Sequence, residues 1–303
     1  MSKINILITG GTGLIGSRLT ELLLEKGHGV SYLSRSKKQG DGSINYYHWD
    51  PSKGEIDQEA IDSADYIIHL AGASVADSRW TDSRKKVILK SRQETARLLF
   101  DGIKNSDKQL KGFISASGIG YYGYTGDQLI DESASLGNDF LAKVCEKWEE
   151  ESLQIKSLGI RTTIIRIGVV LSEKGGALKE LMTPVKFFVG SPLGSGEQYM
   201  SWIHIDDLCK IFLKAVEDES MEGVYNGVAP SPVTNEEMVA SIAKTLKRPV
   251  FPINVPGIAL KILLGEMSEI VLKGSKVSSK KIEAAGFTFG YPSLNGALSD
   301  LLN

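Results

Sequence analysis

Cysteine is scarce in this chain. Only Cys145 and Cys209 occur among 303 residues, with no CxxC spacing and no histidine cluster beside them. That excludes a disulfide framework and a thiolate zinc site, and no metal is expected. Long apolar runs are missing too: no stretch approaches the roughly 18 residues that a membrane-spanning helix needs. Net charge is only −2, so the chain as a whole has no excess of either sign with which to grip nucleic acid or an anionic membrane. The apolar start, residues 4–8, is too short for a secretory signal and is closed by glycines, so it reads as a strand. What is left is the expectation of a soluble cytoplasmic protein, monomer or homodimer, whose partner is a small molecule.

Glycine is abundant, at 32 residues, as many tight strand–helix turns require. Residues 4–8, 30–33, 44–47, 66–70, 113–116 and 162–167 are short apolar runs that read as strands. Residues 14–26, 84–104 and 139–158 carry apolar positions at helical spacing. Strands alternating with long helices predict right-handed βαβ units, and so an α/β, doubly wound parallel-sheet Rossmann core. After Leu171 glycine and proline accumulate, and from about Ser231 short helical stretches dominate. A smaller, mostly helical C-terminal lobe is expected from residues 173–201 and 230–303. Residues 202–229 are expected to return to the core formed by residues 1–172.

Thr9-Gly10-Gly11-Thr12-Gly13-Leu14-Ile15-Gly16 lies between the first strand and the first helix. Gly10 permits a sharp turn, Gly13 lets backbone approach a pyrophosphate, and Gly16 lets the helix pack closely on the sheet. Thr12, Leu14 and Ile15 present helix N-terminal N–H groups to the anion. An acidic residue closing the second strand would favour NAD. Here the chain reads Leu33-Ser34-Arg35-Ser36-Lys37-Lys38. The Arg35 fork and the Ser34 hydroxyl suit a 2′-phosphate, so NADP(H) is expected ahead of NAD(H); a solvated basic loop is the alternative. Asp50 either reaches an adenine or turns the chain before Pro51. Leu70, Ala71, Gly72 and Ala73 supply small residues where a dinucleotide passes the fourth strand.

These motifs resemble the extended short-chain dehydrogenase/reductases, the class that contains the nucleotide-sugar epimerases. The resemblance is carried by the Thr9–Gly16 loop and by Ile203-His204-Ile205-Asp206-Asp207-Leu208. It narrows to an atypical subgroup of "epimerase family proteins" through Arg79-Trp80-Thr81, Gly120-Tyr121-Tyr122-Gly123, Ser201-Trp202-Ile203-His204, Ala229 to Asn235 and Gly286-Phe287-Thr288-Phe289. It spans nearly the whole chain. It implies the fold, NADP(H) binding and a C-terminal domain of unknown function.

The resemblance also implies a catalytic Tyr with a Lys one helical turn on, which lowers the phenol's pKa. The helix expected to carry them has no Tyr. Anchored on Glu149, the two positions are Leu141 and Cys145; anchored on Lys143, the first is Asp139. Ser117 matches the family's Ser, and Ser91 stands where an Asn belongs. Lys143 either approaches the nicotinamide ribose or is a surface residue. Tyr121 and Tyr122 either present a phenol beside the nicotinamide or pack the pocket floor.

Arg166, Gly168 and Val169, at the end of the sixth strand, are expected to line the nicotinamide side. Arg79, Trp80 and Arg84 follow the fourth strand, on the ligand edge of doubly wound sheets, and suit an anionic or planar substrate. Gln198, Trp202 and His204 are further candidates for substrate contact, with His204 either a catalyst or a hydrogen-bonded structural histidine. Three functions remain open: an NADP(H)-dependent oxidoreductase or epimerase-like enzyme, an NADP(H) sensor without turnover, and a structural partner that keeps the fold alone.

Overall fold

A computed structural model describes residues 3–36 and 42–302. In chain order it contains β1 (Asn5–Thr9), α1 (Leu14–Glu25), β2 (Gly29–Ser34), β3 (Ile44–Asp50), β4 (Glu55–Ile56), α2 (Gln58–Asp62), β5 (Tyr66–His69) and α3 (Asp82–Lys104). Then come β6 (Gly112–Gly118), β7 (Gly126–Ile130), α4 (Phe140–Leu153), β8 (Thr162–Ile167), β9 (Val169–Leu171) and α5 (Ala177–Lys186). The remainder comprises β10 (Tyr199–Met200), β11 (Trp202–His204), α6 (Ile205–Glu217), β12 (Gly223–Gly227), β13 (Val233–Thr234) and α7 (Asn235–Thr245). It closes with α8 (Gly257–Leu264), α9 (Glu269–Leu272), β14 (Ser275–Val277), α10 (Lys280–Ala284) and α11 (Leu294–Leu302).

Eight strands form one sheet in the order β12-β8-β6-β5-β1-β2-β3-β4. All neighbours are parallel except β3 and β4. The strands are apolar on both faces because helices cover both. Side chains alternate: Ile6, Ile8, Ile68 and Ile114 pack on the face covered by α1 and α6. Leu7, Ile67 and Phe113 pack on the opposite face, with Leu99 and Ile103 of α3. A separate core forms in the lobe, where Leu178 and Val185 of α5 meet Met238 and Ile242 of α7 and Leu298 of α11.

The sixth expected strand, residues 162–167, is β8, and the chain breaks at Gly168 before β9. A Cβ there would lie 2.3 Å from the Ser201 carbonyl oxygen, so only glycine lets that backbone come so close. Beyond the break, β9 pairs with β11 in parallel. The chain then passes through α6, which is tied to α1 by the bidentate Arg18–Asp206 pair at 2.7 and 3.0 Å, and β12 completes the sheet edge beside β8.

Candidate functional site

The loop after β1 owes its shape to glycines. Gly10 has φ +71°, and a Cβ on it would come within 3.0 Å of the Leu70 backbone. Its carbonyl accepts the Gly13 N–H at 3.0 Å, and a Cβ on Gly16 would sit 2.4 Å from that same oxygen. The start of α1 therefore rests directly on the turn. Thr81, Asp139 and Thr234 cap α3, α4 and α7 with side-chain oxygens, whereas α1 has no side-chain cap and no acid in its first turn. Its leading N–H groups meet no protein anion, which suits them to a phosphate.

Beside this loop opens a groove of about 600 Å³. Its walls include Gly10, Thr12, Ser34, Arg35, Asp50, Ala71, Gly72, Ala73 and Ser91. The Ser91 hydroxyl accepts the Ala73 N–H at 2.9 Å and donates to the Ile88 carbonyl, pinning α3 to the end of β5. Asp50 both lines the groove and turns the chain: its carboxylate accepts the Ser52 hydroxyl at 2.6 Å, and that bond lowers its pKa. Lys37 and Lys38 of the basic run lie outside the described residues.

Gly13, Leu14, Ile15, Gly16 and Leu70 shape the loop rather than wall the groove. Leu14 packs beside the Gly175-Gly176 turn, and Ile15 packs on the sheet core. Sequence reasoning missed Gly11, where a Cβ would strike the Tyr32 ring at 2.3 Å. It also missed the wall formed by Val87, Lys90, Glu94 and Thr95 of α3. Their i, i+3, i+7, i+8 spacing was a usable signal, because Val87 is an exposed apolar residue beside the buried Ile88–Arg92–Leu99 stripe.

At the end of β6 the side chains are committed to one another. The Ser117 hydroxyl donates to Glu149 Oε1 at 2.6 Å. Arg166 donates to the same carboxylate through Nε at 2.8 Å and Nη2 at 2.7 Å. Arg166 is 4% exposed and Glu149 5%. Burial works against the guanidinium charge, but the bonds to Glu149 outweigh it and hold the pKa above its ordinary value. Nε and Nη2 of Arg166 are thus spent on Glu149, whereas its Nη1 is buried with no hydrogen-bond partner among the described residues, and Arg166 is not among the residues that wall the groove. Val169 and Gly168 are likewise engaged, in pairing with β11 and in the close approach of Ser201.

Tyr122 is buried, donates its hydroxyl to Asn226 Oδ1 at 2.7 Å, and is pushed up to about 12 by burial. It packs the floor and is not an available acid. The Tyr121 ring lies across the Arg166 guanidinium, 3.3 Å from Cζ to centroid. Its hydroxyl has no hydrogen-bond partner among the described residues.

The dyad question is decided by α4. A Cβ on Gly120 would touch Leu141 Cβ at 3.2 Å, and one on Gly118 would meet Cys145 Sγ at 3.6 Å. The helix face turned toward β6 thus carries Leu141 and Cys145, one turn apart. Burial pushes the Cys145 thiol up to about 11, so it is no thiolate. Lys143 lies about 200° around the helix from Leu141 and is exposed, which removes it from the set.

The candidate substrate residues scatter. Trp80 is buried; its indole N–H donates to the Val75 carbonyl at 2.8 Å, and its ring packs edge-on against Phe140. Arg84 donates to the Ser74 carbonyl at 2.5 Å, and Arg79 to the Ile262 carbonyl at 3.3 Å. Lys85 of α3 pairs with Glu266, so Arg79 and the start of α3 bridge the core to the region around α8. Gln198 donates to the Leu193 and Val271 carbonyls. Trp202 is fully buried and donates to the Ser231 carbonyl. His204 accepts the Asp206 N–H at 3.1 Å as the cap of α6, stacks on Tyr291 at 3.8 Å, and is held below its ordinary pKa by burial. Trp80, Gln198 and Trp202 are held by these backbone contacts away from the groove beside the glycine loop, and His204 lines a separate, smaller cavity with Arg18, Asp206 and Asp300. Among the described residues no cluster of His, Cys, Asp and Glu could hold a metal ion, and no helix is long and apolar enough to cross a membrane.

A family model described as the NAD dependent epimerase/dehydratase family matches residues 6–226. The chain belongs to that family. A second model, a domain of unknown function (DUF1731), matches residues 255–301. Epimerase family protein YfhF of Bacillus subtilis is 38% identical over 98% of each chain. The chloroplastic epimerase family protein SDR39U1 homolog of Arabidopsis thaliana is 36% identical over 99% of this chain and 87% of its own. Among solved structures, human epimerase family protein SDR39U1 with NADPH is similar with a TM-score of 0.89 and 32% identity, over 98% of this chain and 99% of that one. A UDP-glucuronic acid 4-epimerase from Bacillus cereus shares the fold, with a TM-score of 0.79 at 17% identity over 99% of this chain and 96% of its own. Within the epimerase/dehydratase family this member keeps the glycine loop, and the face of α4 toward β6 carries Leu141 and Cys145.

Proposed function

We propose that this epimerase/dehydratase-family chain is an NADP(H)-dependent oxidoreductase that acts on a small polar substrate without a Tyr-xxx-Lys dyad. The observation that carries the cofactor assignment is the end of β2. Ser34 and Arg35 line the groove there, and no carboxylate stands at that strand end to take a ribose 2′-hydroxyl. A relative of similar length and fold is described with NADPH. The uncapped start of α1 and the glycine turn fit the paired phosphates, and Ala71 to Ala73 leave the passage past β5 open.

Bound NADPH supplies a hydride. The chain's own part is to orient the substrate and deliver a proton. Ser117 and Tyr122 are tied to Glu149 and Asn226, which leaves Tyr121 as the phenol at the ligand edge of the sheet. In carbonyl reduction its hydroxyl would donate the proton to the substrate oxygen while carbon receives the hydride.

Leu141 and Cys145 motivate a second reading, in which the protein binds NADP(H) as a sensor and turns nothing over. Fluorescence titration with NADPH and NADH tests the cofactor assignment; equal affinity for both would defeat it. A panel of carbonyl compounds and nucleotide sugars tests turnover. The enzyme reading expects activity that falls at least about a hundredfold in Tyr121→Phe, and no turnover across the panel favours the sensor.

A further inference from the structure

Twelve large apolar side chains are exposed among the described residues, and nine of them fall in two segments of the C-terminal region. One segment contains Phe187, Phe188 and Val189, at the end of α5. The other runs from Val250 through Phe251 and Ile253 into Ile258, Ile262 and Leu263 of α8. The segments are stitched together. The Phe251 N–H donates to the Gly190 carbonyl at 2.8 Å, the Ser191 hydroxyl to the Ile253 carbonyl at 2.5 Å, and the Val255 N–H to the Pro192 carbonyl at 2.9 Å. The Arg248 guanidinium lies 4.6 Å from the Phe188 ring centroid. Phe187, Phe188 and Val189 therefore lie beside Val250, Phe251 and Ile253, and the chain carries the exposed apolar side chains on into α8 directly after them; Phe187 and Ile262 are the most exposed, at 73%. Isolated exposed apolar residues are ordinary, but a continuous face of this kind marks an interaction surface.

The two stretches that form this face carry charge of one sign, with Glu197 and Glu236 standing at its border beside the Gly196–Asn254 contact. No Asp or Glu occurs between Glu180 and Glu197, or between Glu237 and Glu266. The same stretches hold Lys186, Lys244, Lys247, Arg248 and Lys261, all exposed. None of the five has a carboxylate within ion-pair distance among the described residues. A net charge of −2 for the whole chain hides this segregation, which is why the sequence led to an expectation of no membrane contact. A second copy of the chain is a poor occupant. A two-fold interface sets the same patch against itself, so these unpaired cations would face five identical ones.

We propose that this face docks on an anionic lipid bilayer, with Phe187, Phe188, Phe251 and the α8 side chains entering the headgroup boundary. The flanking lysines and Arg248 would contact acidic headgroups. Protruding apolar side chains ringed by unpaired Lys and Arg are the combination that binds lipid interfaces. Long basic side chains can extend to headgroups while their stems stay against apolar neighbours. The docked face adjoins the Arg79 loop through the Arg79–Ile262 contact, which places the bilayer on the side of the lobe that meets the core.

The test is flotation of the full chain with vesicles of phosphatidylcholine alone and of phosphatidylcholine with one-third phosphatidylserine. The expected result is partition onto the anionic vesicles at about 50 mM salt, little onto neutral ones, and release at about 500 mM. Lys247→Glu/Arg248→Glu is expected to weaken partition more than tenfold, since each cation is worth roughly fivefold near such a surface. Phe187→Ser/Phe251→Ser is expected to do the same, with both variants keeping wild-type NADPH titration and thermal midpoint. Three results would overturn the proposal: no flotation at low salt, flotation equal to wild type in both variants, or a dimer in sedimentation velocity that Phe187→Ser/Phe251→Ser abolishes.

Discussion

Glu149 is the place to press hardest on this structure. Its carboxylate accepts from Ser117 at 2.6 Å and from Arg166 at 2.8 and 2.7 Å, with both ionised partners at or below 5% exposure. Glu149→Gln keeps the shape but removes the charge and one acceptor, and it turns an NH₂ group toward a donor. The Arg166 cation is then buried and uncompensated, a loss of about 3–5 kcal/mol. Urea unfolding followed by circular dichroism should show a lower midpoint with an unchanged slope. The double change Glu149→Met/Arg166→Met removes both charges and should recover most of that loss, because a buried pair is often replaceable by apolar residues of similar volume. NADPH affinity of the double variant should stay within about threefold of wild type, because Arg166 is not among the groove-lining residues. A Glu149→Gln loss below about 1 kcal/mol would refute the energetic argument. A hundredfold fall in NADPH affinity in the double variant would return Arg166 to the cofactor site.

Four further outcomes are expected. Arg35→Ser should lower NADPH affinity by about ten- to a hundredfold, the scale of a charge-assisted hydrogen bond, and leave NADH affinity nearly unchanged in the same titration. Gly16→Ala must displace the Gly10 carbonyl, since its Cβ would sit 2.4 Å away; affinity for either coenzyme should fall more than tenfold by the same fluorescence measurement. His69, held down to about 3 by burial and by Arg92, stays neutral in the folded chain while the unfolded chain takes up a proton below about pH 6.5. Stability should therefore fall as pH drops from about 6.5 toward 3, by about 1.4 kcal/mol per pH unit. His69→Gln should flatten that slope between pH 6.5 and 4.5 in urea titrations, and equal slopes would show that another group is responsible. Lys143→Ala should leave stability within about 0.5 kcal/mol and any turnover unaltered.

Local pattern alone carried six strands of the parallel sheet, all but the edge strand β12, together with the glycine turn and the basic end of β2. Each is a property of neighbouring residues: a strand buried on both faces must be apolar throughout, and a tight turn at positive φ calls for glycine. The Gly10, Arg35 and Ala71–Ala73 positions could be read because consecutive residues in a βα turn stay together in any fold of this class. Side-chain partners from distant segments could not be read this way. Glu149 claims both Ser117 and Arg166, from two different strands. Tyr122 finds Asn226 across 104 residues, and His204 stacks on Tyr291. Helical periodicity offered two registers for α4, and only its packing on Gly118 and Gly120 chose Leu141 and Cys145 as the inward face. A one-dimensional pattern says which residues share a face, whereas burial and charge compensation depend on what that face meets, and that is decided when the whole chain packs.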